Sequence, residues 1–156
     1  TAKNYLSRAA KLNANAAEVN TNLGMIALIE GNVADAENYL VKGTDSDANA
    51  AALGNLYVAQ GQYERAVSAF GETKSNAAAL AQIMTEQYTV ADKTLDAVET
   101  ADAYTYYLKA IVAARTNKAA AVTENLAKAV KLDGRLAEKA KKDMEFKKFA
   151  AAIANL

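Results

Sequence analysis

The 156-residue chain contains no cysteine, no histidine and no proline. Without cysteine there is no disulfide framework and no thiolate metal site, so an oxidising compartment is neither indicated nor excluded. Without histidine, Ser-His-Asp and Cys-His catalysis, most zinc sites and the commonest general base are ruled out. The lack of proline works the other way. Alanine dominates the composition, and with the best helix former abundant and the worst one missing the chain is predicted to be all-helical. Strictly alternating β-branched and aromatic runs, which strands would need, do not occur at useful length. No stretch of ~18 apolar residues exists that could span a membrane. Thr1 opens inside an amphipathic segment rather than a basic-then-apolar leader, so any address signal is expected to have been removed or to lie outside this stretch.

What is present supports a folded core: the chain is 52% hydrophobic and 23% charged, a balance that argues against disorder. The net charge is zero but unevenly placed. Residues 1–117 carry nine Lys/Arg against thirteen Asp/Glu, and residues 118–156 carry nine against five. That asymmetry could steer a partner or favour head-to-tail association, and otherwise reads as a solvated basic end.

The chain is organised around residues 53–70, LGNLYVAQGQYERAVSAF. Leu53, Gly54 and Tyr57 share a helical face, Gly61 stops that helix, and Ala66 and Phe70 lie on the inner face of a second one. Gly24, Gly31, Ala36 and Leu40 stand thirty residues earlier in the same arrangement, the mark of stacked helix–turn–helix units. Gly54 is expected to face Ala66, and Gly24 to face Ala36, where the two helices approach most closely. Residues 1–12 read as a lone helix with Ala2, Leu6 and Ala9 on one face, followed by a break in which Asn15 can cap the next helix. Units then follow at about 16–43, 47–73, 76–99 and 102–131. Tyr39 is expected to be buried in the first. In the third, Tyr88, Ala91 and Leu95 echo Tyr63, Ala66 and Phe70, but Glu86 replaces the turn glycine and a different turn is expected there. Tyr106, Ala110, Val122, Leu126 and Ala129 are the inner positions of the fourth. Helices over 135–142 and 144–155, with Asp143 capping the second, form a lysine-rich end cap.

The pattern Leu53-Gly54, Tyr57, Gly61, Ala66 and Phe70, with Leu23-Gly24, Gly31, Ala36 and Leu40, resembles the tetratricopeptide repeat. The resemblance covers residues 1–134 and departs from the family pattern at Asn20 and Ala50, where a tryptophan-like residue would stand, and at Ala14, Ala48 and Gly134, where proline would. It implies an all-α, right-handed solenoid of helical hairpins with C-terminal capping helices at 135–156. The opening helix then fits the second helix of a repeat whose first is missing. That suggests a piece of a longer repeat protein, with an N-terminal edge open to self-association. The proline-free, divergent repeats and the ending LAEKAKKDMEFKKF also resemble bacterial envelope-associated repeat proteins, which points to the periplasm or envelope.

No constellation of residues suggests catalysis. The glycines are spaced for turns and helix packing, not for a phosphate loop. Asp45-Ser46-Asp47-Ala48-Asn49 opens like a calcium loop, but Ala50 and Leu56 stand where the required glycine and bidentate glutamate belong; it reads as a capping turn. Asp92, Asp96, Glu99 and Asp102 read as a solvated face. Lys139, Lys141, Lys142, Lys147 and Lys148 are interleaved only by Phe146 and Phe149, so nucleic acid is not the expected partner. No cofactor or metal is expected. The family resemblance implies a concave face lined by first helices, carrying Asn22 and Met25, then Asn55 and Val58, then Tyr104, Tyr107 and Arg115. Tyr104 and Tyr107 could equally pack between helices. The lysine and arginine positions of the family's carboxylate clamp hold Thr21, Met25 and Ala52 here, so no such clamp is expected. The resulting expectation is a non-catalytic protein–protein interaction or assembly scaffold, binding a protein or peptide. The alternative is a regulatory or docking domain of an enzyme encoded elsewhere in the parent chain.

Overall fold

The computed structural model describes residues 2–13 and 16–156, and among them every regular element is helical. The first four helices are α1 (Ala2–Leu12), α2 (Ala17–Ile29), α3 (Val33–Leu40) and α4 (Asp47–Ala59). Then come α5 (Tyr63–Phe70), α6 (Asn76–Met84), α7 (Tyr88–Asp96), α8 (Ala103–Arg115) and α9 (Ala119–Leu132). The chain closes with α10 (Leu136–Lys142), a 3-10 helix (Met144–Phe149) and α11 (Ala150–Ile153). Helices adjacent in sequence pack on each other, most extensively as the hairpins α2–α3, α4–α5, α6–α7 and α8–α9. The chain divides into two compact units, Thr1–Thr73 and Lys74–Leu156. The Asn15 cap read from the sequence lies outside the described residues.

The helices begin where short polar side chains take over the unpaired N–H groups of the first turn. Ser46 accepts from the Asn49 N–H at 3.3 Å, Ser75 from Ala78 at 3.1 Å and Asn32 from Asp35 at 3.3 Å. The Ser46 cap is the capping turn expected of the Asp45–Asn49 stretch. At α8 the exchange is reciprocal: Asp102 accepts the Thr105 N–H at 2.8 Å while the Thr105 hydroxyl accepts the Asp102 N–H at 3.0 Å.

All four hairpins turn in the same way. Gly31, Gly61, Glu86 and Asn117 have φ of 75°, 70°, 62° and 61°. In each case the left-handed residue donates its N–H three residues back, and the next residue donates five back. This paired closure satisfies the last carbonyls of the helix. The Glu86 turn therefore matches the glycine turns, contrary to the sequence expectation, because the hydrogen-bond closure holds it there at a steric cost.

Counting from the left-handed residue gives one register for all four hairpins. Seven residues before it stand Gly24, Gly54, Ala79 and Ala110; five after it, Ala36, Ala66, Ala91 and Val122; nine after it, Leu40, Phe70, Leu95 and Leu126. All twelve are buried. The atoms nearest Gly24 and Gly54 belong not to Ala36 and Ala66 but to the larger side chains one turn further on. A Cβ on Gly24 would stand 2.6 Å from Leu40 Cγ, and one on Gly54 2.5 Å from the Phe70 ring. The shorter third period has a plain cause. Nine-residue α6 is one turn shorter than thirteen-residue α4, and the connection before it is one residue shorter.

In the first unit a buried polar network ties α2 to the segment between α3 and α4. The Thr21 hydroxyl donates to Asn49 Oδ1 at 3.1 Å and accepts the Thr44 N–H at 2.9 Å, while Asn49 Nδ2 donates to the Leu40 carbonyl at 3.0 Å. Gly43 makes room for it, since any Cβ there would strike Asn49 and Thr21. Tyr39 is only half-buried. Helix α1 buries no residue fully: Leu6 and Ala9 are half-covered, while Ala2, Tyr5 and Leu12 are exposed.

In the second unit one core joins α8 and α9 to the C-terminal elements: Tyr107, Ala110, Val122 and Leu126 pack with Ala140, Phe146, Phe149 and Ile153. The continuous helix expected over 144–155 is instead a 3-10 turn followed by a short α-helix. Three residues per turn align Phe146 and Phe149 on one side, where both enter the core. Tyr106 packs against this core while remaining half-buried, with Lys109 and Lys128 ammonium groups 5.9 and 5.8 Å from its ring.

Candidate functional site

Alanine-rich α6 and the tyrosine-bearing start of α8 leave a groove of about 280 Å³ in the second unit. Its apolar floor comes from Leu80, Ile83 and Met84 of α6 and Ile111 of α8, with Tyr104 and Tyr107 beside them. The charged residues along it are Arg115, Lys139, Asp143 and Glu145. Met84 is 41% and Tyr104 39% exposed, so the groove presents apolar surface to an incoming partner.

The polar side chains that shape this groove are committed to one another. Arg115 donates from Nε and Nη2 to the two oxygens of Glu145, at 3.0 and 2.5 Å, and from Nη1 to the Ile83 carbonyl at 3.1 Å. This fork fastens the end of α8 to α6 and to the 3-10 helix. The Glu145 hydrogen bonds are the main reason the guanidinium holds its proton even more firmly than usual. The Tyr107 hydroxyl donates to Asp143 Oδ2 at 2.7 Å, and Asp143 Oδ1 accepts the Glu145 N–H at 3.0 Å. Asp143 thus caps the segment that follows it, as its position in the sequence suggests. Burial first, and the Asp143 acceptor second, push the Tyr107 phenol above the ordinary 10.0.

Of the seven residues read as partner-binding, Tyr104, Tyr107 and Arg115 come together here. Two of them are engaged within the chain, Tyr107 in the packing between helices that was the alternative reading for it. Tyr107 is 1% exposed, its ring packed edge-on against Phe146 at 5.5 Å, so it packs between helices. Arg115 is engaged at all three nitrogens. Tyr104 alone of the three offers open surface. In the first unit, Asn22 and Asn55 are exposed, and Met25 and Val58 half-buried. Met25 and Asn55 occupy the register position of Leu80 and Ile111, six before the left-handed residue; Val58 matches Ile83. Asn22 matches the buried Leu108 but points outward. Thr21, at one of the clamp positions, is buried and hydrogen-bonded.

Sequence reasoning missed Leu80, Ile83, Met84, Ile111, Lys139, Asp143 and Glu145 as groove residues. The register counted back from each turn residue would have found the first four. The last three lie in a segment read only as a cap, and no periodic signal links it to α6 and α8. The acidic run also separates: Asp96 pairs with Lys109 at 2.6 Å, while Asp102 caps α8 and accepts from Asn76 at 3.1 Å. Among the described residues no three acidic side chains gather as metal ligands, and no helix is long and apolar enough to cross a membrane. No family model matches the sequence, and no curated protein matches it.

Proposed function

We propose that this chain is a tetratricopeptide-like solenoid module whose role is non-catalytic: it holds a protein or peptide partner, as an interaction or assembly scaffold. The repeat reading is supported by the single register that all four hairpins share about their left-handed turns. The binding reading is carried by one observation, the groove between α6, α8 and the C-terminal segment. It has an apolar floor, and a fork of hydrogen bonds fixes its walls before any partner arrives. A preformed surface lowers the ordering cost of association, and exposed tyrosine and methionine are side chains that contact surfaces favour.

Display of random dodecapeptides against the immobilised chain tests this reading. Enriched peptides are expected to lose binding to a Met84→Ala, Tyr104→Ala double variant that melts like the parent. Enrichment unaffected by the variant would move the binding surface away from the groove. No enrichment at all would favour the regulatory-domain alternative.

A further inference from the structure

One short segment occurs twice in the first unit, in different surroundings. Ala2-Lys3-Asn4-Tyr5-Leu6 of α1 and Ala36-Glu37-Asn38-Tyr39-Leu40 of α3 differ only at the second position. In α3 the segment packs on α2: Ala36 is 0% and Leu40 1% exposed, Tyr39 is half-buried, and Leu40 lies nearest Gly24. In α1 every counterpart is more open. Ala2 is exposed, Tyr5 is 73% exposed and Leu6 is only half-covered. Yet both helices turn the same side toward the hairpin that follows them. Glu37 pairs with Arg65 of α5 and accepts from Tyr57 of α4, while Lys3 pairs with Glu30 at the end of α2. The face that α2 covers on α3 is therefore the face left open on α1. Ala9 and the exposed Leu12 continue it, because residues 2, 5, 9 and 12 share one side of a helix.

The equivalent seat on α3 shows what fits. A Cβ on Gly24 would stand 2.6 Å from Leu40 Cγ, so the helix crossing this leucine needs a very small residue there. Charge adds a second requirement. Helix α1 carries Lys3, Arg8 and Lys11 and no acid, and Lys3 is engaged by Glu30. Residues 16–32, which include α2, carry Glu18 and Glu30 and no lysine or arginine. Two copies of α1 laid face to face would instead set cation against cation. We propose that α1 is a docking seat for a helix of another polypeptide with the chemistry of α2. Such a helix has glycine or alanine where it crosses Leu6, apolar residues a turn to either side, and acids rather than bases on its flanks.

The test uses a labelled peptide of residues 16–32, held helical by a hydrocarbon staple on its far face and titrated into the whole chain by fluorescence anisotropy. Saturable binding is expected, with slower amide exchange in α1. Gly24→Leu in the peptide should remove it. A Tyr5→Ala, Leu12→Ala double variant of the chain should weaken it about tenfold and melt like the parent, since both side chains are exposed in the free chain. Arg8→Glu should also weaken it, and Glu18→Lys with Glu30→Lys in the peptide should recover part of that loss. The Met84→Ala, Tyr104→Ala variant should bind this peptide as the parent does, so the seat and the groove stand or fall separately. Absence of saturable binding would overturn the proposal. So would binding indifferent to Gly24→Leu in the peptide or to the Tyr5, Leu12 double variant. Self-association of the chain in sedimentation, abolished by that double variant, would give the seat to a second copy and overturn it as well.

Discussion

Glu86 and Asn117 hold a backbone conformation that their neighbours in the register, Gly31 and Gly61, adopt without a Cβ penalty. Glu86→Gly is expected to stabilise the chain by about 1 kcal/mol, and Asn117→Gly by less, because asparagine tolerates this conformation better. Urea denaturation would show it; an unchanged midpoint for Glu86→Gly would mean that the carboxylate has a compensating role. Gly54 is the opposite case, a glycine required by proximity. Gly54→Ala should cost about 1–3 kcal/mol because its methyl meets the Phe70 ring, and Phe70→Leu in the same chain should recover part of the loss. The sequence marked both helix approaches by their small residues but not the large side chain seated at each: Leu40 lies nearest Gly24 and Phe70 nearest Gly54. Tyr107 brings a pH dependence. Its folded phenol lies above 10.0, so its contribution is whole below pH 10 and is lost as pH rises further. Stability is expected to fall above pH 10 and to fall less in Tyr107→Phe. A remnant slope would come from Tyr57, which burial and Glu37 also raise.

Among the described helices, α8 alone starts with a reciprocal cap, made by Asp102 just ahead of it. Asp102→Ala removes the reciprocal cap and is expected to cost about 1 kcal/mol. The Thr105 N–H, chiefly, holds the Asp102 carboxyl below its ordinary 3.8. Its contribution is therefore present above that value and lost as pH falls through the lower, folded one. Thermal melts between pH 5 and 2 should show parent and variant converging; a constant gap would mean that the cap does not require the charge. Element starts and stops were legible in part: the Asp45–Asn49 stretch and Asp143 announce caps, and Gly31 and Gly61 announce turns, whereas Ser75 went unread and Asp102, read as part of a solvated acidic face, caps α8. The 3-10 segment was not legible. MEFKKF has the spacing of either helix type, and only the core that receives Phe146 and Phe149 together decides between them. For the same reason Lys139, Asp143 and Glu145 were seen as a polar cap while Tyr104 and Arg115 were marked as a surface: long-range packing, not local pattern, brings them to one groove.

At the scale of the molecule, contacts are dense within residues 1–73 and within 74–156, and each helix rests chiefly on its sequence neighbours. On the repeat reading proposed above, stability in such a chain is a sum of local terms. Leu40→Ala, about 2–5 kcal/mol by cavity formation, is expected to lower amide-exchange protection across α2 to α4 and to leave α8 and α9 close to the parent. Equal loss throughout would mean that the chain opens as one cooperative block. Helix α1, with no fully buried residue, should exchange fastest of all.

The three-residue turns are invariant in length, whereas the helices and connections around them are not. Each added residue rotates the remainder of a helix by about 100° about its axis. A residue inserted beside Glu86 would therefore swing Ala91 and Leu95 out of their seats together, while one inserted among residues 71–75, ahead of the Ser75 cap, would leave the hairpin beyond it intact. Insertions and deletions can accumulate in the connections but not in the turns, so the chain can drift in length and composition while the ruler inside each hairpin stays fixed.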